Sequence, residues 1–261
     1  MNKPLSRIPI PCYQNFTTLT VQKTLSISII LPTLNEDQRI GACLDGLDRL
    51  LLHRRSLDHP PELIVVDGGS TDQTLQEIAA RGIHRIQLLH TKAGRGQQQH
   101  CGATAASGDI LLFLHCDTVL PATFSKDICL TLQKKDVVAG AFRLHINGRG
   151  VGFRLIEAGV RLRSSLLQLP YGDQALFMHR ATYFAVGGFP EQPIMEDLAL
   201  VLCLKKLGRI ALTQTHVTTS ARRWQQHGLV KTTLINQLML LGRVIGVSPQ
   251  QLARLYYAQR K

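Results

Sequence analysis

Aromatic side chains are scarce, 5% of the 261 residues with a single Trp, and they form no platform on which nucleic-acid bases could stack. Nucleic acid is therefore not an expected partner. Acidic residues are also short, with 18 Asp and Glu against 30 Lys and Arg, a formal charge of +12. Such an excess suits polyanions, among them anionic lipid and phosphorylated small molecules. The six cysteines (Cys12, Cys43, Cys101, Cys116, Cys129 and Cys203) include no Cys-x-x-Cys pair. That pattern argues against a zinc site or a disulfide framework and reads as buried thiols of a reducing compartment.

No stretch reaches the roughly 18 uninterrupted apolar residues of a membrane span. The nearest, residues 229–247, is broken by Lys231, Asn236, Gln237 and Arg243. Its apolar residues Val230, Leu234, Leu238, Leu241 and Ile245 recur at helical spacing, so this segment either packs on the main domain or lies in a membrane surface. Residues 1–24 lack the continuous apolar core of a signal peptide and are expected to form a loosely held tail. The expected location is the cytoplasm, with the inner face of the cell membrane as the alternative. Also missing is Gly-x-Gly-x-x-Gly after the first strand, where Pro32-Thr33-Leu34-Asn35-Glu36 stands instead. This excludes a dinucleotide-dependent oxidoreductase.

What is present is ordinary for a globular chain: 44% apolar and 18% charged residues, and length for one sizeable α/β domain. The chain is organised around residues 110–117, Ile-Leu-Leu-Phe-Leu-His-Cys-Asp. Five apolar residues in a row read as a buried central strand of a parallel sheet, with Asp117 at its carboxyl end. Open α/β sheets bind ligands at that edge, and a carboxylate there can hold a metal against a phosphate. It can equally cap the next turn.

Upstream, the pattern predicts a strand over 25–31 stopped by Pro32. A helix follows, capped by Asn35, with Ile40, Leu44, Leu47 and Leu51 on its apolar face and its end at Arg54-Arg55. A strand over 63–66 runs into Asp67-Gly68-Gly69-Ser70-Thr71-Asp72. There the glycines permit close approach to a ligand, Ser70 or Thr71 can cap the next helix, and Asp67 can accept hydrogen bonds from a base or ribose. After a strand over 84–89, Lys92-Ala93-Gly94-Arg95-Gly96 forms a basic approach to a helix N-terminus that suits a diphosphate. Four strands alternating with helices predict a parallel sheet with right-handed crossovers.

Downstream, a helix opens at Pro121 and runs to about 135, a strand covers 137–146, and an amphipathic helix covers 151–169. The polar loops Pro170-Tyr171-Gly172-Asp173-Gln174 and Gly187-Gly188-Phe189-Pro190 are candidates for acceptor contacts, or plain turns. Glu196 and Asp197 precede a helix over 198–207, where they can complement its dipole or supply a general base. Arg222-Arg223-Trp224 can form a structural stack or clamp a departing diphosphate.

Taken together, residues 28–36, 67–74 and 107–117, the Glu196-Asp197 pair and Arg223-Trp224 resemble the family 2 glycosyltransferases, inverting enzymes of the GT-A fold. More narrowly, His115-Cys116-Asp117-Thr118 and the segments 170–174, 195–197 and 219–224 are similar to a small bacterial branch named for arsenosugar biosynthesis. The resemblance implies a nucleotide-diphospho-sugar transferase fold over about 25–225, a mostly parallel central sheet with helices on both faces, and a helical extension over 226–261. It implies that Pro32, Thr33 and Glu36 line the nucleotide pocket, that Asp67 meets the base or ribose, and that Arg95 and Arg223 face the diphosphate. Asp117, ending the family's Asp-x-Asp motif, would coordinate Mg²⁺ or Mn²⁺ with His115 beside it. Asp197 matches the catalytic base, with Glu196 as the alternative. Tyr171, Asp173, Gln174 and Trp224 are expected near the acceptor, a small molecule or a lipid-linked one.

Three positions depart from the family pattern. His115 replaces the first Asp of the metal motif and removes a charge. Ser220 stands where Gln or Arg opens the Arg-Trp motif, which weighs against a processive polymer synthase. His100 occupies a position where Asn is expected. Two other readings remain: a nucleotidyltransferase acting on a sugar phosphate, and a non-catalytic polyanion-binding protein.

Overall fold

The computed structural model describes residues 25–52, 60–83 and 85–258. The expected N-terminal tail, Cys12 and the Arg54-Arg55 helix end lie outside them. The first half alternates as anticipated: β1 (Ile27–Thr33), α1 (Asp37–Leu52), β2 (Glu62–Asp67), α2 (Thr74–Ala80), β3 (Ile86–His90), α3 (Arg95–Ala105) and β4 (Ile110–Phe113). The second half runs β5 (Thr118–Val119), α4 (Phe124–Leu132), β6 (Val137–Asn147), α5 (Val151–Leu166), β7 (Phe177–His179), α6 (Arg180–Ala185), α7 (Glu196–Leu204), β8 (Arg209–Ser220), α8 (Arg222–His227), α9 (Leu229–Val244) and α10 (Pro249–Ala258). A single 3₁₀ turn over Gly172–Gln174 precedes β7.

These strands form one eight-stranded sheet in the order β3-β2-β1-β4-β7-β6-β8-β5. Strands β3, β2, β1 and β4 are parallel. Next to β4 in the sheet lies β7, antiparallel to it; β6 pairs antiparallel with β7, β8 runs parallel to β6, and β5 closes the edge antiparallel to β8. The sheet is thus mixed, with a parallel half formed by β3, β2, β1 and β4 and an antiparallel junction beside β4.

Alternate residues of β1 and β4 feed two cores, as a strand buried on both faces requires. Ile29, Leu31, Leu112 and Leu114 pack with Ile40, Leu44 and Phe124 on one face. On the other, Ile30, Leu111 and Phe113 pack with Ala103, Tyr183, Phe189 and Val201. Helix α3 can lie close to the sheet because its contact residues are small: a Cβ on Gly102 would stand 2.5 Å from Ile30 Cγ2.

Several local expectations are corrected. Pro32 does not stop β1, which continues to Thr33. Regular pairing of β1 with β4 ends at Ile30 opposite Phe113, so the missing N–H of Pro32 costs no ladder bond. Asn35 does not cap α1; Glu36 O accepts the Ile40 N–H at 2.8 Å, while Asn35 adopts φ 52°. Nor do Ser70 or Thr71 cap α2, since Asp72 accepts the Thr74 N–H at 2.9 Å. Helix α5 ends at Leu166, before a left-handed Gln168. Cys203 is exposed, so the buried-thiol reading fails there, whereas Cys43, Cys101, Cys116 and Cys129 are half-buried free thiols.

Candidate active site

The site lies at the carboxyl ends of β1, β2 and β4, where two loops are stitched together. The Gly68 N–H donates to Thr33 O at 2.9 Å. Asn35 N–H donates to Ser70 Oγ at 3.0 Å, and Asn35 Oδ1 accepts the Thr71 N–H at 2.9 Å. Glu36 N–H reaches Thr74 Oγ1 at 2.8 Å. The left-handed backbone at Asn35 turns the chain from strand into this clamp. Beneath it, buried Gln98 donates from Nε2 to both Thr33 O (2.7 Å) and Val66 O (2.9 Å). Nothing in the sequence pattern singles out Gln98, because an amide in a small-residue helix carries no motif.

Asp67 is almost fully buried, and its carboxylate turns back on its own loop. It accepts the Gly69 N–H at 2.9 Å and the Ser70 hydroxyl at 2.5 Å. Thr33 Oγ1 is buried without a partner. Glu36 is paired with Arg39; burial still raises its pKa above the ordinary value, with Asp117 and Asp72 adding to the rise.

Asp117 is exposed, and its backbone is held from the far edge of the sheet. Its carbonyl accepts the Ser220 N–H at 3.2 Å, next to the β5–β8 pair Thr118 and Thr219. This tether brings Arg222 and Arg223 alongside. A cleft between α1 and β5 runs up to Asp117 and Ser220, lined by Arg39, Cys43, Cys116 and Val119.

Around His115 the catalytic candidates converge. Burial lowers its pKa from 6.5 to about 4, with Arg95 and Arg223 opposing protonation and Asp117 and Asp197 favouring it. The ring is therefore neutral near pH 7, and its buried Nε2 has no hydrogen-bond partner. The 3₁₀ turn brings Gly172 against this ring, and Gly172 donates its N–H to Asp197 Oδ2 at 2.8 Å. The other Asp197 oxygen accepts the Leu198 N–H at 2.8 Å. Met195, left-handed at φ 60°, starts α7, and the two acids that follow it take different partners. Glu196 is buried and bound to Arg95 rather than open to a substrate.

The other expected residues divide into those that face the site and those that support it. Burial pushes the Asp173 carboxyl up, against the pull of Arg163, and its Oδ1 is buried and unpartnered. Tyr171 lies beneath the Arg163 guanidinium, 3.6 Å from ring centre to Cζ. Arg223 is exposed and within electrostatic reach of both His115 and Asp173. Gln174, in contrast, is fully buried, and its amide is consumed by Ser164, Tyr171 and Phe142 O. Trp224 is half-buried and packs against the core cluster that contains Phe153. His100 stands 3.0 Å from the Tyr183 hydroxyl, which accepts the Phe189 N–H at 3.0 Å and so fixes the 187–190 turn.

Among the described residues no group of three or more His, Cys, Asp or Glu side chains forms a metal cage. The donor set nevertheless fits a divalent cation shared with a ligand. An exposed carboxylate at Asp117 and an unpartnered neutral imidazole nitrogen at His115 leave most of the coordination to phosphate oxygens and water, as Mg²⁺ commonly prefers.

The glycosyl transferase family 2 model matches residues 28–189, and the chain belongs to that family. Glucosyl-3-phosphoglycerate synthase of Mycobacterium tuberculosis is 37% identical over 102 residues, covering 37% of this chain and 30% of that protein. A PGL/p-HBAD biosynthesis glycosyltransferase of Mycobacterium bovis is 37% identical over 97 residues, 36% of each chain. The matched segment thus spans about a third of these relatives. In three dimensions the chain is similar to a mannosyltransferase from Pyrobaculum calidifontis solved with GDP-Man and Mn²⁺ (TM-score 0.59, 22% identity, 84% of this chain and 60% of that one). It is also similar to the M. tuberculosis synthase solved with Mn²⁺, UDP and glucosyl-3-phosphoglycerate (TM-score 0.52, 23% identity, 75% and 70%). These likenesses show the GT-A fold.

Proposed function

We propose that the protein is a metal-dependent inverting glycosyltransferase that moves a sugar from a nucleotide-diphosphate donor to a small or lipid-linked acceptor. The observation that carries the reading is that His115 and Asp197 meet across Gly172, with Asp117, Asp173 and Arg223 within electrostatic reach of them. Family membership and two neighbours solved with a nucleotide and Mn²⁺ support it.

In this reading the clamp formed by Thr33, Glu36 and the Asp67 loop receives the nucleoside, with Pro32 as its wall. Asp117 and His115 would hold Mg²⁺ or Mn²⁺, which when bound neutralises charge on the departing diphosphate. Arg223 adds fixed positive charge from the other side, and Arg95 does so while holding Glu196. Asp197, oriented by the Gly172 N–H and its own helix, takes the proton of the acceptor hydroxyl or carboxyl. The acceptor oxygen attacks the anomeric carbon opposite the leaving group, so the configuration inverts. Tyr171 and Asp173 border the acceptor side. Glu196 is a positioning residue rather than the base.

No helix among the described residues is long and apolar enough to cross a membrane. The basic balance and the exposed apolar face of α9 support a cytoplasmic protein that works at the inner membrane surface on a lipid-linked acceptor. The test is release of nucleoside diphosphate from a panel of nucleotide sugars, with the anomer of the product read by NMR. An α-linked donor should yield a β-linked product, and Asp197→Asn should abolish the release. A retained configuration would contradict the reading.

A further inference from the structure

Asp197 is the last acidic residue of the chain: residues 198–261 contain ten Lys and Arg and no Asp or Glu. Most of the positive excess therefore belongs to residues 198–261. Within this acid-free segment α9 exposes Val230, Leu234, Leu238 and Leu241, with Val230 80% accessible, and Ile245 just past its end is exposed as well. The spacing places them along one side of the helix, while Thr232 and Met239 face inward. Exposed Lys231 lies on the same helix, and exposed Arg254 lies on α10, which packs against it.

Helix α5 repeats the pattern. Val151, Leu155, Leu162 and Leu166 are exposed, Leu155 by 68%, whereas Phe153 and Ser164 are buried. Arg149 and Arg161 are exposed beside them. The only acid of α5, Glu157, is turned inward, where it accepts the Ile146 N–H at 2.6 Å and pairs with Arg154. The two helices touch: Leu229 lies 3.1 Å from where a Cβ of Gly152 would stand. The far end of α5 meets the acceptor side of the site, since Arg163 stacks on Tyr171 and donates to Leu169 O at 3.0 Å.

We infer that α5 and α9 together form a docking face for an anionic lipid bilayer, which presents a lipid-linked acceptor to the Tyr171 and Asp173 side of the site. Exposed leucines enter the interfacial region while neighbouring cations, with no carboxylate to oppose them, meet the headgroups. The charge pattern selects this occupant over a second copy of the chain, whose matching face would be equally basic and would repel it. The inference rests on the transferase reading above and adds the surface to it.

The experiment is co-sedimentation of the full chain with vesicles of phosphatidylcholine alone and of phosphatidylcholine with phosphatidylglycerol. Wild type, Leu155→Glu and Leu234→Glu are compared, and nucleoside diphosphate binding with Mn²⁺ is measured on each protein. Wild type should sediment with the anionic vesicles only, release as salt rises, and lose about tenfold or more in affinity with either substitution while nucleotide binding is unchanged. Nucleotide binding without vesicle binding overturns the docking face and leaves the transferase reading intact. Vesicle binding without nucleotide binding overturns the transferase reading, and with it the presentation of an acceptor, while the docking face itself stands. Loss in Leu234→Glu but not Leu155→Glu overturns the shared face. A wild-type dimer that both substitutions convert to monomer assigns the surface to a second copy and overturns the lipid proposal.

Discussion

The backbone N–H of Gly172 donates to Asp197 Oδ2 at 2.8 Å, and a Cβ at Gly172 would stand 3.2 Å from His115 Nε2 and 3.3 Å from Asp197 Oδ2. One glycine thus sets the spacing between the His115 imidazole and the proposed base. Gly172→Ala should displace one of the two by a few tenths of an ångström. Turnover should fall by up to about 10²-fold, the scale expected when a reacting group is mispositioned. Nucleotide affinity should change little. Steady-state kinetics against calorimetry of nucleotide binding separates the two effects.

Glu196 and Asp197 are adjacent in sequence but differ in environment, and the two should respond differently to amide substitution. Asp197→Asn should remove activity with the fold intact. Glu196→Gln weakens the bond to Arg95 and should alter KM and stability while leaving measurable turnover. If Glu196→Gln is the inactive variant and Asp197→Asn is not, the roles are exchanged.

Gln98 bridges the ends of β1 and β2 from below, and the loops above depend on it. Gln98→Leu leaves Thr33 O with the Gly68 N–H as its remaining donor and Val66 O with one donor fewer. The expected loss is about 1–3 kcal/mol, two hydrogen bonds at roughly 0.5–1.5 kcal/mol each, read as a lower midpoint in urea. Donor affinity should fall with it, because the nucleotide clamp rests on the same carbonyls.

The neutral state of His115 predicts a pH dependence of stability. Its folded pKa of about 4 lies below the ordinary 6.5, so the unfolded chain takes up a proton first as pH falls. Its contribution is complete above about pH 6.5 and is lost progressively toward pH 4, by at most about 1.4 kcal/mol per pH unit. Glu36 and Asp173, whose pKa values are raised, act in the opposite sense. Denaturation of metal-free wild type and His115→Gln at several pH values isolates the His115 share, and the variant should show the shallower acid loss.

Much of this was legible in the sequence, and the limits have physical causes. The apolar run 110–114 announced a strand buried on both faces, and the polar stations after each strand fell at the edge where parallel sheets bind ligands. Strand β8 went unnoticed because Thr and Gln alternate through it without an apolar run, yet it delivers Ser220 to Asp117 and Arg223 to the site. Gln174 carried the same signal as its neighbour Asp173, since residue type does not reveal which polar side chain is consumed by buried partners. Trp224 likewise read as a clamp with Arg223, but neighbouring residues on a short helix turn different ways, and the indole packs against the core.

The central claim is that His115 and Asp117 form a metal-dependent nucleotide-diphosphate site. The most direct measurement is calorimetric titration of wild type and Asp117→Ala with UDP, GDP, ADP, CDP and dTDP, with and without Mn²⁺. The account predicts that one nucleotide binds in a Mn²⁺-dependent manner and that the substitution removes this dependence in a protein that remains folded. Equal binding with and without the metal, or full retention in Asp117→Ala, would contradict it.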